Sequence, residues 1–317
     1  MAALTLIESA KLFANDGKYF EAAVVQMFAE ANEVTRILPI QSITGSAIQY
    51  NQEGELPAIA FRGINEGYTA GVGAINPQTE ALRMTGGDVD VDNFIIVTHG
   101  TSSRSTHERM KIKAIMDDFQ KKFIKGDNSS NPKEFDGLQR RLTGTQVVSN
   151  KRVTSPAGGE VLSLNKLDEA IDQVVEPTHI LMSKAMKRRM SQAQRNTAVG
   201  GNIEYSLDDF GRKVMFYGGL PVVALEDAKG GDTVLPFEEA ASDAGGTAVN
   251  TSIYVVSLKE GHLQGIEATG GMSIRDLGEI DEKPVHRTRV EWYMSIALMH
   301  GRAAARLRDI IDGAVVA

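Results

Sequence analysis

Apolar residues return at steps of three and four along two stretches of the chain and at every second position along a third. From Lys18 to Arg36 the residues Phe20, Val24, Met27, Phe28, Ala31 and Val34 keep the helical step and predict one amphipathic helix. Asn15-Asp16-Gly17 reads as a turn before it, Leu4 to Phe13 as a shorter helix, and Pro39 as its end. A second stripe, Ile112, Ile115, Met116, Phe119 and Phe123, predicts a long helix that stops at Gly126, with Ser105 and Glu108 as its capping box and Gln120 on the solvent side. Asp117 with Lys121 and Asp118 with Lys122 are spaced as ion pairs along it. Asn131-Pro132-Lys133-Glu134 reads as the capped start of a short helix through Leu142. The alternating stretch is Val290, Trp292, Met294, Ile296 and Leu298, a long strand with one face in a core.

Between these lie weaker patterns. Residues 38–92 are broken by eight glycines and three prolines, with short extended pieces at 47–51 and 58–62, and read as a protruding hairpin. Connections of this length usually serve a purpose of their own, and here the expected partner is another chain. Gly, Ser and Pro at 143–160 mark a boundary, followed by a helix around Leu167 to Val175 that stops before Pro177. His179 to Met182 predicts a strand, Ser183 a cap for the helix Lys184 to Arg195, and Gly218-Gly219 the turn between Lys213–Phe216 and Pro221–Leu225. Residues 227–250 read as a mobile polar loop before a β-rich run from Ser252 to Leu258. The fold class is α+β.

Composition narrows the chemistry. The 317 residues are 42% hydrophobic and 24% charged, which is globular, and no apolar run or leader pattern predicts a membrane or secretory segment. The absence of cysteine excludes disulfides, thiolate catalysis and sulfur-ligated zinc. A net charge of −7 disfavours a dedicated nucleic-acid binder but permits a wall around DNA that carries its own counterions.

The six histidines at 99, 107, 179, 262, 286 and 300 include no pair at helical ligand spacing. His99-Gly100-Thr101-Ser102-Ser103 lacks the glycine-flanked serine of a nucleophile elbow, Gly71-Val72-Gly73 lacks a third phosphate-loop glycine, and no glycine-lysine phosphate motif occurs. Asp88, Asp90 and Asp92 read as the solvated face of a strand, and Trp292 as core. Lys184, Lys187, Arg188 and Arg189 form the densest basic cluster, either a solvated helix face or a contact for phosphate or an acidic neighbour. No catalytic, cofactor-binding or metal-binding set emerges, and the chain reads as a non-enzyme.

The order of elements (helical arm, long hairpin, spine-like helix, α+β module, closing strand) resembles that of tailed-bacteriophage major capsid proteins. The phrases Leu38-Pro39-Ile40, Tyr50-Asn51-Gln52-Glu53, Leu56-Pro57 with Ala60-Phe61-Arg62-Gly63, Glu134-Phe135-Asp136-Gly137-Leu138 and Arg289-Val290-Glu291-Trp292-Tyr293 carry the likeness across nearly the whole chain. The resemblance implies the Johnson fold, also called the Hong Kong ninety-seven fold. Its parts would map to an N-terminal arm at 1–37, an extended loop at 38–92, a peripheral domain at 93–142 with 285–300, and an axial domain at 143–284, leaving the placement of 301–317 open.

It further implies self-assembly into pentamers and hexamers of an icosahedral head around double-stranded DNA, in the host cytoplasm, to end in the virion. Portal and decoration proteins are expected partners, and a separate scaffolding protein is expected because only 37 residues precede the loop. On the loop, Glu53, Phe61, Arg62 and Glu66 are the contact candidates toward a neighbour. No lysine lies between Lys18 and Lys111, so a lysine-to-asparagine crosslink from this loop, as some relatives form, has no donor here. The alternative within the same fold is an encapsulin-like compartment that encloses a cargo enzyme.

Overall fold

The computed structural model describes residues 32–54, 56–68, 70–99, 102–151, 158–196, 202–207, 213–226, 231, 233–242 and 249–316. The first half holds helix α1 (Glu33–Ile37), strands β1 (Ile40–Ile43), β2 (Ala47–Glu53), β3 (Ile75–Ala81) and β4 (Arg83–Asp92), then helices α2 (Asn93–His99), α3 (Ser102–Lys125) and α4 (Leu138–Arg141). Next come β5 (Val147–Ser149), β6 (Glu160–Ser163), α5 (Leu164–Asp172), β7 (His179–Ser183), α6 (Lys184–Ala193), β8 (Ile203–Leu207), β9 (Lys213–Tyr217) and β10 (Leu220–Leu225). The chain closes with β11 (Thr251–Val256), β12 (Leu263–Ala268), β13 (Ser273–Ile280), β14 (Lys283–Leu298) and β15 (Ala304–Val316).

Three sheets result. In the first, of five strands, β14 is central: β12 lies along its C-terminal half, β13 along its N-terminal half, β4 along its other edge, and β1 runs parallel beside β12. The second has eight strands in the order β5-β15-β11-β7-β10-β9-β8, with β6 also on β15. The third is the antiparallel pair β2-β3 alone, which connects β1 to β4.

The long helix α3 lays its predicted stripe on the five-stranded sheet: Ile112, Ile115, Met116, Phe119 and Phe123 are all buried. Phe119 meets Trp292 edge-on at 5.3 Å, Phe123 at 6.1 Å and Phe135 at 6.0 Å, so one ring ties helix, strand and following turn together. The Trp292 indole donates to Glu267 Oε2 (3.0 Å), and Ser42 donates to Oε1 (3.3 Å). Burial pushes the Glu267 carboxyl up despite these two donors. A second core lies between the eight-stranded sheet and helices α5 and α6, with Leu162, Leu167, Met186, Met190, Val255 and Leu307 inside.

The predicted long helix 18–36 lies largely outside the described residues, as does the shorter one at 4–13. Its last turn is separate: Asn32 is extended (φ −151°) and its side chain accepts from Val34 N to cap α1. The same side chain donates to Met116 O (3.0 Å), fixing this turn to α3. The predicted capping box is not formed. Helix α3 begins at Ser102, which puts Ser105 inside it, and Glu108 instead accepts from Thr288 (2.8 Å) and Arg104 (3.1 Å).

Gln120 is fully buried rather than solvent-facing, with neither amide atom hydrogen-bonded. Lys122 turns to Glu134 (2.6 Å) on the next turn of chain. Asn131 does cap, accepting from Lys133 N at 3.2 Å, but only a turn follows, and the helix is confined to Leu138–Arg141. Gly137 is the reason: its amide donates to Gly126 O (2.9 Å), and any Cβ there would stand 2.5 Å from Lys122 O, so the backbone is pinned against the end of α3.

Other local expectations hold. Ser183 Oγ accepts from Met186 N (3.2 Å) at the start of α6, and Gly218 and Gly219 take positive φ (55° and 78°) in the β9-β10 turn. Residues 301–317, left unplaced by the sequence, supply β15, which is interior to the eight-stranded sheet. The expectation of a mobile loop at 227–250 is corrected for its described part. Val234 and Leu235 are buried, Glu239 pairs with Arg306 (2.9 Å) where both are nearly sealed from solvent, and Ser242 donates twice to Asp309 (2.8 and 2.7 Å). Asp309 holds a left-handed backbone (φ 65°), and Ser149 adds a third hydrogen bond to its carboxylate (2.7 Å), which offsets that strain.

Candidate assembly surface

The hairpin β2-β3 leaves the body between β1 and β4, and its root is fastened by polar groups from three directions. Arg141 on α4 makes a two-pronged ion pair with Glu80 on β3, its second prong at 2.8 Å, and both side chains are largely buried. Tyr50, across the ladder, donates to the same carboxylate (3.4 Å). Burial, then the Glu80 charge, pushes the Tyr50 phenol up to about 12, so it remains a donor. Gln52 Nε2 donates to Leu298 O at 2.6 Å, tying β2 to the end of β14. No spacing rule joins Glu80 to Arg141 or Gln52 to Leu298, and sequence reasoning missed these pairs.

Past Glu53, which ends β2 opposite Ile75, the character changes. The described residues of 54–74 form no strand, the predicted extended piece at 58–62 included. Leu56, Ile59, Phe61, Ile64, Tyr68 and Val72 are all at least 75% exposed. The two legs nevertheless lie close: a Cβ on Gly71 would stand 2.5 Å from Ala58 O. At the far end Gly63 N donates to Glu66 Oε2 (2.8 Å), Arg62 donates to Glu66 O (3.1 Å), and the Arg62 guanidinium lies 5.0 Å from the Tyr68 ring centre. Arg62 and Glu66 therefore shape the turn of the tip, while Phe61 beside them projects fully into solvent. Among the described residues Met84, Phe94 and Val97 are further large apolar side chains left exposed.

The basic helix α6 is partly neutralised by its own chain. Lys184 pairs with Glu226 (2.9 Å) and Arg189 with Asp312 (2.6 Å). Burial lowers the Lys187 ammonium, opposed by the charges of Glu33 and Glu226, and Arg188 acts on Asp312 through space. The acidic run on β4 faces a matching basic run: Asp88 stands opposite Arg289 and Asp90 opposite Arg287, bonded at 2.7 and 2.6 Å. The Arg289 hydrogen bond holds the Asp88 carboxyl below its usual range, and Arg287 does the same for Asp90. Among the described residues no group of three or more His, Asp or Glu side chains could hold a metal ion, and no helix is long and apolar enough to cross a membrane.

A family model described as "Major capsid protein GP7" matches residues 15–165. Among solved structures, the SrpI encapsulin of a holo complex from Synechococcus elongatus PCC 7942 is similar over 90% of this chain and 89% of its own, with a TM-score of 0.63 at 16% identity. The structure from Microbacterium phage Oxtober96 gives a TM-score of 0.63 at 9% identity, covering 89% of this chain and 91% of that one. The capsid of an empty GTA particle gives 0.57 at 12% identity, covering 88% and 90%. No curated protein sequence matches. At these identities the structural likenesses show the fold, which is the one that the sequence resemblance implies: an α+β capsid shell fold. The resemblance to phage major capsid proteins is borne out by the family match and the fold together.

Proposed function

We propose, from the premise of a capsid-family match joined to a capsid fold, that this chain is the major capsid protein of a tailed phage. In this reading it self-assembles into pentamers and hexamers of an icosahedral head around packaged double-stranded DNA, and its place of action is the virion. The observation that carries the reading is the hairpin, whose root is locked to its own subunit while its apolar tip has no cover among the described residues. A second copy is the economical cover, because a shell offers the same neighbour at every position.

Residues 1–37 would then be the arm, 38–92 the extended loop, 93–142 with 285–300 the peripheral part and 143–284 the axial part. Contacts from Glu53, Phe61, Arg62 and Glu66 to a neighbour, and from the unpaired part of the basic helix, belong to this proposal. So do a separate scaffolding protein, a portal and a decoration protein. Negative-stain imaging of the purified chain tests it: closed shells are expected, and a monomer that never assembles at high concentration, with or without a scaffold, would overturn it.

The likeness to an encapsulin supports a second reading, a compartment with enzyme cargo. Nuclease-protected DNA inside the particles favours the head, and a single co-purifying enzyme without nucleic acid favours the compartment.

A further inference from the structure

The two sheets are joined directly by two short segments, from β11 to β12 through 257–262 and from β14 to β15 through 299–303. These crossovers lie side by side and are knitted by main-chain bonds: Ser257 N donates to Ala303 O (2.8 Å) and Met299 N to His262 O (2.8 Å). At the centre the rings of His262 and His300 stack, 5.2 Å between centres and 16° from parallel. We propose that this stack is a pH-sensitive clasp on the double crossover, closed while the His262 ring is neutral and loosened when it is protonated, so that acid frees the two sheets to change their mutual angle.

The chemistry around the rings supports this direction. His262 Nδ1 is buried without a hydrogen-bond partner, so a proton added there gains no acceptor. His300 Nδ1 accepts from Arg302 N (3.0 Å), a bond that depends on this ring keeping its place in the stack. Arg302 in turn holds the end of α5 through Gln173 O (3.0 Å) and Asp172 O (2.9 Å), and its own carbonyl accepts from Val175 N (3.0 Å). Loss of one bond therefore loosens a larger knot. The charged groups around the stack are Lys259 and Glu176, paired at 2.8 Å, and Arg302. An imidazolium at His262 added to Lys259 and Arg302 faces one carboxylate, an excess of positive charge that pushes the crossovers apart.

Desolvation, then the neighbouring His300, lowers the His262 pKa, opposed by Glu176 and assisted by Lys259. A histidine with a depressed folded pKa stabilises the closed form at pH above its free value of about 6.5 and gives up that contribution as the pH falls.

The test is hydrogen exchange by mass spectrometry on the full-length assembled protein at pH 7.5 and 5.5, corrected for intrinsic exchange. Segments 257–263 and 299–304 should lose protection by about tenfold at pH 5.5 while the centre of β14 stays unchanged. The double variant His262→Phe, His300→Phe keeps a ring stack without protons and should show no such loss. Glu176→Gln, which removes the offsetting charge, should enlarge the loss and start it at a higher pH. Equal protection of the crossovers at both pH values, or the same acid-induced loss in the double variant, would overturn the clasp. Should the double variant not fold, the wild-type protein still decides, because a loss shared equally by β14 is also an overturning result.

Discussion

The root and the tip belong to the same hairpin and obey opposite rules. At the root polar groups that leave water find partners, as Glu80 finds Arg141 and Tyr50, and Gln52 finds Leu298. At the tip the polar groups Arg62, Gly63 and Glu66 satisfy only one another, while six large apolar side chains face solvent. A subunit built to be complete by itself would reverse this, since exposed apolar area is worth about 25 cal/mol per Å² when covered. The root is finished within one chain; in the proposed shell the tip would be finished by another.

The largest expected effect removes the tip alone. Replacing residues 54–74 by Asn-Gly, which closes the Glu53–Ile75 pair with a two-residue hairpin turn, should leave the subunit folded by circular dichroism while sedimentation shows no closed shells. Shells of normal size from this variant would place the assembly contact elsewhere.

Next is the floor on which the root stands. Phe119→Ala leaves a hole between helix, strand and turn and should cost about 3 to 5 kcal/mol in chemical denaturation. Severing the root itself should cost less: Arg141→Ala strands the largely buried Glu80 carboxylate and is expected to lower stability by about 2 to 3 kcal/mol. Its distinguishing mark is assembly that fails through a misdirected hairpin, so proteolysis should cut between 47 and 81 faster than in the parent.

Gln120 offers a gain. Its buried amide has no partner, and Gln120→Met, which keeps the volume and discards the unpaired polar atoms, should raise stability by about 1 kcal/mol; a lower denaturation midpoint would mean the amide has a partner in solution.

The smallest effect depends on pH. Burial raises the Glu267 carboxyl, so its protonated form is favoured in the folded state and its stabilising contribution is lost as the pH rises through that raised value. Glu267→Gln keeps an acceptor for Trp292 without the buried charge. It should be slightly more stable than the parent at pH 7.5, with the gap closing as the pH falls toward the ordinary carboxylate range, as measured by thermal melts across that span.

What the sequence determined by itself was whatever rests on neighbours in the chain. The stripe from Ile112 to Phe123, the Ser183 cap, the glycine turn at 218–219 and the alternation through Trp292 are all set within a few residues, where helical and strand periods act. The tip was legible for the same reason, as a run of glycines and prolines holding apolar residues that no periodic pattern could bury. Tertiary structure decided the rest.

The last strand had no placement in the sequence, and its Arg306 and Asp309 are satisfied by Glu239, Ser149 and Ser242 from elsewhere in the chain. Ser105 and Glu108 had the letters of a cap, but Thr288 on β14 claimed the carboxylate. Gln120 looked exposed because a helical wheel knows only one helix, and what packs over each face is fixed by the other elements. Glu80 and Arg141 are 61 residues apart, and only the folded chain could make them the root of the hairpin. Buried polar groups must be paired, and the pairing partner is a property of the fold.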